Sequence, residues 1–70
     1  MTLQRYINSK FRAGQFPNTY ITPFSIGSGV WIEDENCIPL AHYINRETAE
    51  KAKSKAMDWA RKTIKWPVIE

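Results

Sequence analysis

Only a few side chains in this 70-residue sequence could do chemistry: Cys37, His42, the run Glu33-Asp34-Glu35, and the Gly27-Ser28-Gly29 triplet. Cys37 is the one thiol and His42 the one histidine. A nucleophile working with a general base needs a third group to hold that base, and no residue here is marked out for it. Zinc ligands come in spaced pairs such as C-x-x-C, which the sequence lacks. The glycine triplet has no Gly-Lys-Ser/Thr behind it and no helix start, so it reads as a bend rather than a phosphate loop. Three adjacent acids at a turn tip read as solvated groups rather than a general acid–base pair. A chain of this length would also struggle to enclose a ligand-sized pocket. The reading is therefore a non-enzyme with no cofactor and no metal.

The elements that must position these residues follow from periodicity. From Asn45 to Trp66 the chain keeps a helical pattern, with Ala49, Ala52, Ala56, Ala60 and Thr63 on one narrow face, Met57 and Ile64 on one flank and Trp59 on the other. Asn45 is placed to cap this helix and Pro67 to stop it. Small alanine side chains allow the helix axis to lie close to a sheet. Residues 2–13 form a first, shorter helix, with Leu3, Tyr6, Ile7 and Phe11 on one face, Thr2 as cap and Gly14 as terminator.

Between the helices the period changes to that of strands: Thr19 to Ile26, Val30 to Glu33, and Ile38 to Ile44. Pro23 puts the first at an edge or a bulge. Asp34-Glu35-Asn36 closes a short hairpin, with Asn36 the residue best suited to positive φ. Val68 and Ile69 form a short last strand or pack the helix end. The whole, residues 1–70, is one small α+β domain with two layers, a three-stranded antiparallel sheet packed by a long C-terminal helix, and a short N-terminal helix. Simple alternation sends Ile38, Leu40, His42 and Ile44, with Val30 and Ile32, toward the alanine stripe. It sends Trp31, Tyr43 and part of the Tyr20/Thr22/Phe24 set to the far side. Either the first helix covers those rings or they form a binding surface.

Charge separates the two candidate surfaces. The net charge is +3, yet residues 18–44 contain no Lys or Arg and hold Glu33, Asp34 and Glu35. The cations ride on the helices: Arg5, Lys10 and Arg12 on the first, and Lys51, Lys55, Lys62 and Lys65 among those of the second. Aromatic residues dominate protein–protein hot spots, and they also stack single-stranded bases. Base stacking is normally accompanied by basic residues that bind phosphate, which the middle of the chain does not supply. The expected partner-binding residues are Tyr20, Trp31, Glu33, Asp34, Glu35 and Tyr43. The partner is a host or viral protein, a basic one that handles nucleic acid. The alternative is a DNA- or RNA-binding accessory protein using the helix cations, and a third option is a homodimer that hides the aromatic face.

The lone cysteine and the absence of a signal peptide or an apolar run of the ~20 residues a span requires point to a reduced, cytoplasmic protein with no membrane partner. The stretches "PNTYI", "GVWIEDEN" and "INRETAEKAKSKAMDWA" resemble the arm-type DNA-binding domain of phage tyrosine integrases, from Pro17 to Lys62. That resemblance implies a sheet that enters the DNA major groove. The layout is also similar to small phage-encoded inhibitors of host machinery, such as anti-CRISPR proteins and inhibitors of host RNA polymerase. It implies a phage or mobile-element protein that acts by occupying a partner's surface.

Overall fold

The computed structural model describes residues 2–24 and 27–65. Helix α1 spans Leu3–Arg12, strands β1, β2 and β3 span Tyr20–Pro23, Val30–Glu33 and Pro39–Tyr43, and helix α2 spans Arg46–Ile64. The α+β arrangement expected from the sequence is the one observed. Val68 and Ile69, and Trp66 at the expected end of α2, lie outside the described residues.

Local chemistry explains each helix end. The Thr2 hydroxyl accepts from the Arg5 amide, and the Asn45 side chain accepts from the Thr48 amide at 2.8 Å. Gly14 ends α1 at φ +75°: its amide donates to Phe11 and the Gln15 amide to Lys10, the paired bonds of a Schellman cap. Phe16, just beyond, packs edge-on against Phe11 with ring centroids 6.0 Å apart. Lys65 closes α2 in the left-handed region.

The sheet is antiparallel with order β1-β2-β3, so Pro23 lies on an edge strand where its missing N–H costs least. Leu3, Tyr6, Ile7 and Phe11 of α1, Ala49, Ala56, Met57 and Ala60 of α2, and Ile32 and Leu40 of the sheet form one buried cluster. Both helices therefore pack on the same side of the sheet, α1 beside α2, and the Gln4 side-chain amide reaches the Ala56 carbonyl. The alternative in which α1 covers the aromatic face is not what the fold adopts. The buried stripe of α2 also turns toward Met57 and Ile64: Thr63 is exposed, and half of Trp59 remains in water.

One irregularity decides the faces. The β2–β3 ladder pairs Val30 with Tyr43, Trp31 with His42, Ile32 with Ala41, and Glu33 with Pro39, so Leu40 is an extra residue at a bulge. Directly opposed residues share a face. Ala41 and Tyr43 thus face the helices with Ile32 and Val30, and both pack against the core. His42 faces away with Trp31. This corrects simple alternation for β3: Tyr43 is on the core side, His42 is on the outer side, and Ile38 and Ile44 are 53% and 77% exposed. The bulge accounts for the residues after Leu40, because one inserted residue inverts every side chain beyond it, while Ile38 lies before it at the hairpin end. Leu40 itself stays buried.

Candidate interaction face

The outer face is built in rows across the strands. Thr22, Trp31 and His42 form one row, and Tyr20 and Glu33 the next. Phe24 extends β1 by one residue, held by its amide donating to the Gly29 carbonyl at 3.2 Å. Its ring meets Trp31 edge-to-face at 4.9 Å and His42 at 5.1 Å, with interplanar angles of 83° and 66°. Such edge contacts are the favoured aromatic geometry. They hold the three rings as one cluster. Gly29 is required beneath it: its φ is +108°, and a Cβ there would lie 3.0 Å from the Tyr43 carbonyl oxygen and 3.1 Å from the Phe24 ring. Among the described residues no helix or loop covers this cluster. Tyr20 is half exposed and His42 is exposed, while Trp31 and Phe24 are partly buried by their neighbours.

The three acids of the β2–β3 hairpin have separate roles. Asp34 is only 8% exposed, and its Oδ1 accepts from the amides of Asn36 and Ile38 at 2.8 and 3.0 Å. It organises the turn and faces no partner. The Asp34 carbonyl accepts from the Cys37 amide, and the Asp34 amide donates to Ile38. This is a three-residue loop whose last residue must be left-handed. Cys37, at φ +64°, takes that position, where the sequence had favoured Asn36. The thiol is exposed and free.

Glu35 ties the hairpin to α1. Lys10 Nζ lies 2.7 Å from its Oε2, and the Tyr6 hydroxyl donates to its Oε1 while lying 3.0 Å from the Asn18 carbonyl oxygen. The bonds from Lys10 and Tyr6 hold the Glu35 carboxyl down at about 2. Burial, helped by Glu35, pushes the Tyr6 phenol up to about 12. Glu33 is the acid left on the outer face, where its Oε2 accepts the Trp31 indole N–H. Of the six residues expected to meet a partner, Tyr20, Trp31 and Glu33 converge on this face; Asp34, Glu35 and Tyr43 are used within the fold. Phe24 and His42 complete the face. Pro39 was the sequence signal for His42, since a residue with no N–H opposite Glu33 marks a ladder irregularity.

The cations of α2 do not make an unbroken basic surface. Lys51 pairs with Glu47 at 3.4 Å, Arg46 with Glu50 at 3.1 Å and Arg61 with Asp58 at 3.5 Å. Lys53 donates to the Thr19 carbonyl. Lys55, Lys62 and Lys65, with Arg5 and Arg12 on α1, have no acidic partner among the described residues. Lys10 is committed to Glu35.

Among the described residues no three His, Cys, Asp or Glu side chains gather where they could hold a metal ion, and no helix is long and apolar enough to cross a membrane. No family model matches this chain, and neither does any curated protein or solved structure.

Proposed function

We propose that this chain is a non-enzymatic protein-interaction module that binds a partner protein through the outer face of its sheet, with Tyr20, Thr22, Phe24, Trp31, Glu33 and His42 in contact. The observation that carries this reading is the uncovered cluster of Phe24, Trp31 and His42. His42 and, in the next row, Tyr20 are exposed beside the partly buried Phe24 and Trp31, and aromatic groups left partly in water concentrate at protein interfaces. The same face lies on the part of the chain with no Lys or Arg, which disfavours a phosphate backbone. A module of this size acts by occupancy, so binding would inhibit or modulate the partner, as in the phage-encoded inhibitors that the layout resembles. Binding of nucleic acid through α2 would rest on Lys55, Lys62 and Lys65, since Lys51 is paired with Glu47.

The test is site-specific photocrosslinking in cells of the native host. A crosslinking residue replaces Thr22, in the centre of the outer face, or Lys55 on α2. The reading predicts a discrete protein adduct from position 22 and none from position 55. An adduct from 55 to nucleic acid, with none from 22, would replace it with the nucleic-acid reading.

A further inference from the structure

We propose that the outer face seats an arginine side chain presented by a basic protein surface, with the guanidinium stacked on the Trp31 ring and hydrogen-bonded to the carboxylate of Glu33. This rests on the reading of the face as a protein interface and specifies the chemistry of its partner.

Three observations carry it. First, Glu33 is the one hairpin acid whose only hydrogen bond comes from another residue of the outer face. Asp34 is taken by backbone amides and Glu35 by Lys10 and Tyr6, whereas Glu33 has no ion pair among the described residues. Second, the carboxylate is already oriented. The Trp31 indole N–H holds Oε2 at the edge of the ring, and Oε1 has no hydrogen-bond donor among the described residues. An acceptor is thereby fixed beside an aromatic surface. Third, Tyr20 stands directly across from Glu33 and is half exposed, giving the carboxylate a second aromatic neighbour.

A guanidinium fits this arrangement better than other cations. It is planar and weakly hydrated, it stacks on aromatic faces, and its N–H groups point outward in the plane of stacking. It can therefore cover a ring and still donate to a carboxylate at that ring's edge. A lysine ammonium is a strongly hydrated point charge and gives up more to enter. A phosphate would meet the Glu33 carboxylate, and the strands that build the face contribute no Lys or Arg to offset it.

The probe is an acetylated and amidated Gly-Gly-Arg-Gly-Gly peptide, with Lys and citrulline versions as comparators. The readout is the Trp31 indole resonance in a ¹⁵N correlation spectrum, assigned with Trp31→Phe. The Arg peptide should shift that resonance saturably, the Lys peptide should bind at least about threefold more weakly, and citrulline, which is neutral, should leave it unmoved. Glu33→Gln should weaken Arg binding about threefold to fivefold, and its spectrum reports on folding at the same time. An equal response to Arg and citrulline, no saturable response to Arg, or a larger shift with an oligothymidylate overturns the proposal. If the crosslink from position 22 persists in that case, the face remains an interface and only its arginine preference falls; loss of both removes the interface reading as well.

Discussion

The inverted facing of β3 can be tested by placing the same charge on two adjacent residues. Ala41 lies across from Ile32, which has no exposed surface, and packs against the core beneath the helices. His42 lies across from Trp31 on the open side. In Ala41→Asp the new carboxylate must stay ionised against apolar groups or take up a proton at pH 7. Raising a carboxyl pKa from about 4 to about 7 costs about 4 kcal/mol. Ala41 keeps part of its surface in water, so about half of that, about 2 kcal/mol, is the expected electrostatic cost. In His42→Asp the charge enters water, and the main loss is the edge contact to Phe24, about 0.5–1 kcal/mol. The strand propensity of Asp depends on the face it occupies and is left out of both figures. A 70-residue domain has a stability of about 4–10 kcal/mol, so Ala41→Asp removes a large share of it. Urea unfolding followed by far-UV circular dichroism resolves the difference. With a slope near 1 kcal/mol/M for a small chain, the Ala41→Asp midpoint should fall at least about 1 M further than that of His42→Asp. Equal shifts, or a larger one for His42→Asp, would restore simple alternation and refute the bulge-inverted register.

Cys37→Gly should stabilise the protein by about 0.5–1 kcal/mol, because relief of the left-handed backbone outweighs the entropy glycine gains on unfolding; a melting temperature that does not rise by at least about 2 °C would count against the turn geometry. Gly29→Ala should destabilise by about 2 kcal/mol and displace the Phe24 ring, read as a lower urea midpoint with altered aromatic NMR shifts. For Glu35 the folded carboxyl is depressed from 4.5 to about 2, so its contribution is present above pH 4.5 and is lost as pH falls through 2. Glu35→Gln should flatten that acid limb of the stability–pH curve, and parallel limbs for the two proteins would show that the tie to Lys10 and Tyr6 contributes nothing.

The parts of the fold governed by neighbours in sequence were legible there. Thr2 and Asn45 cap as short polar side chains do, Gly14 supplies the left-handed residue that a helix end requires, and the three strands lie within the stretches where the periodicity changes, β1 and β3 being shorter than those stretches. What escaped depends on pairing across the chain. The Leu40 bulge reverses β3, and alternation read along one strand cannot register an extra residue that only the partner strand defines. For the same reason His42 moved to the outer face and Tyr43 left it. Whether α1 lies beside α2 or across the sheet is a choice between two apolar surfaces, and its Leu3/Tyr6/Ile7/Phe11 stripe suits both. The acids were legible as a hairpin tip, but their division of labour was not. Asp34 turns to its own backbone amides, and Glu35 meets Lys10 from a helix more than twenty residues away in the chain.

That both helices share one side of the sheet, leaving Trp31, Phe24 and His42 with no helix over them among the described residues, is what the interface rests on. Nuclear Overhauser contacts from the Trp31 ring test it most directly. Contacts to Phe24, His42 and Thr22, and none to Leu3, Tyr6, Ile7 or Phe11, are the expected result. Contacts from Trp31 to those α1 side chains would contradict it.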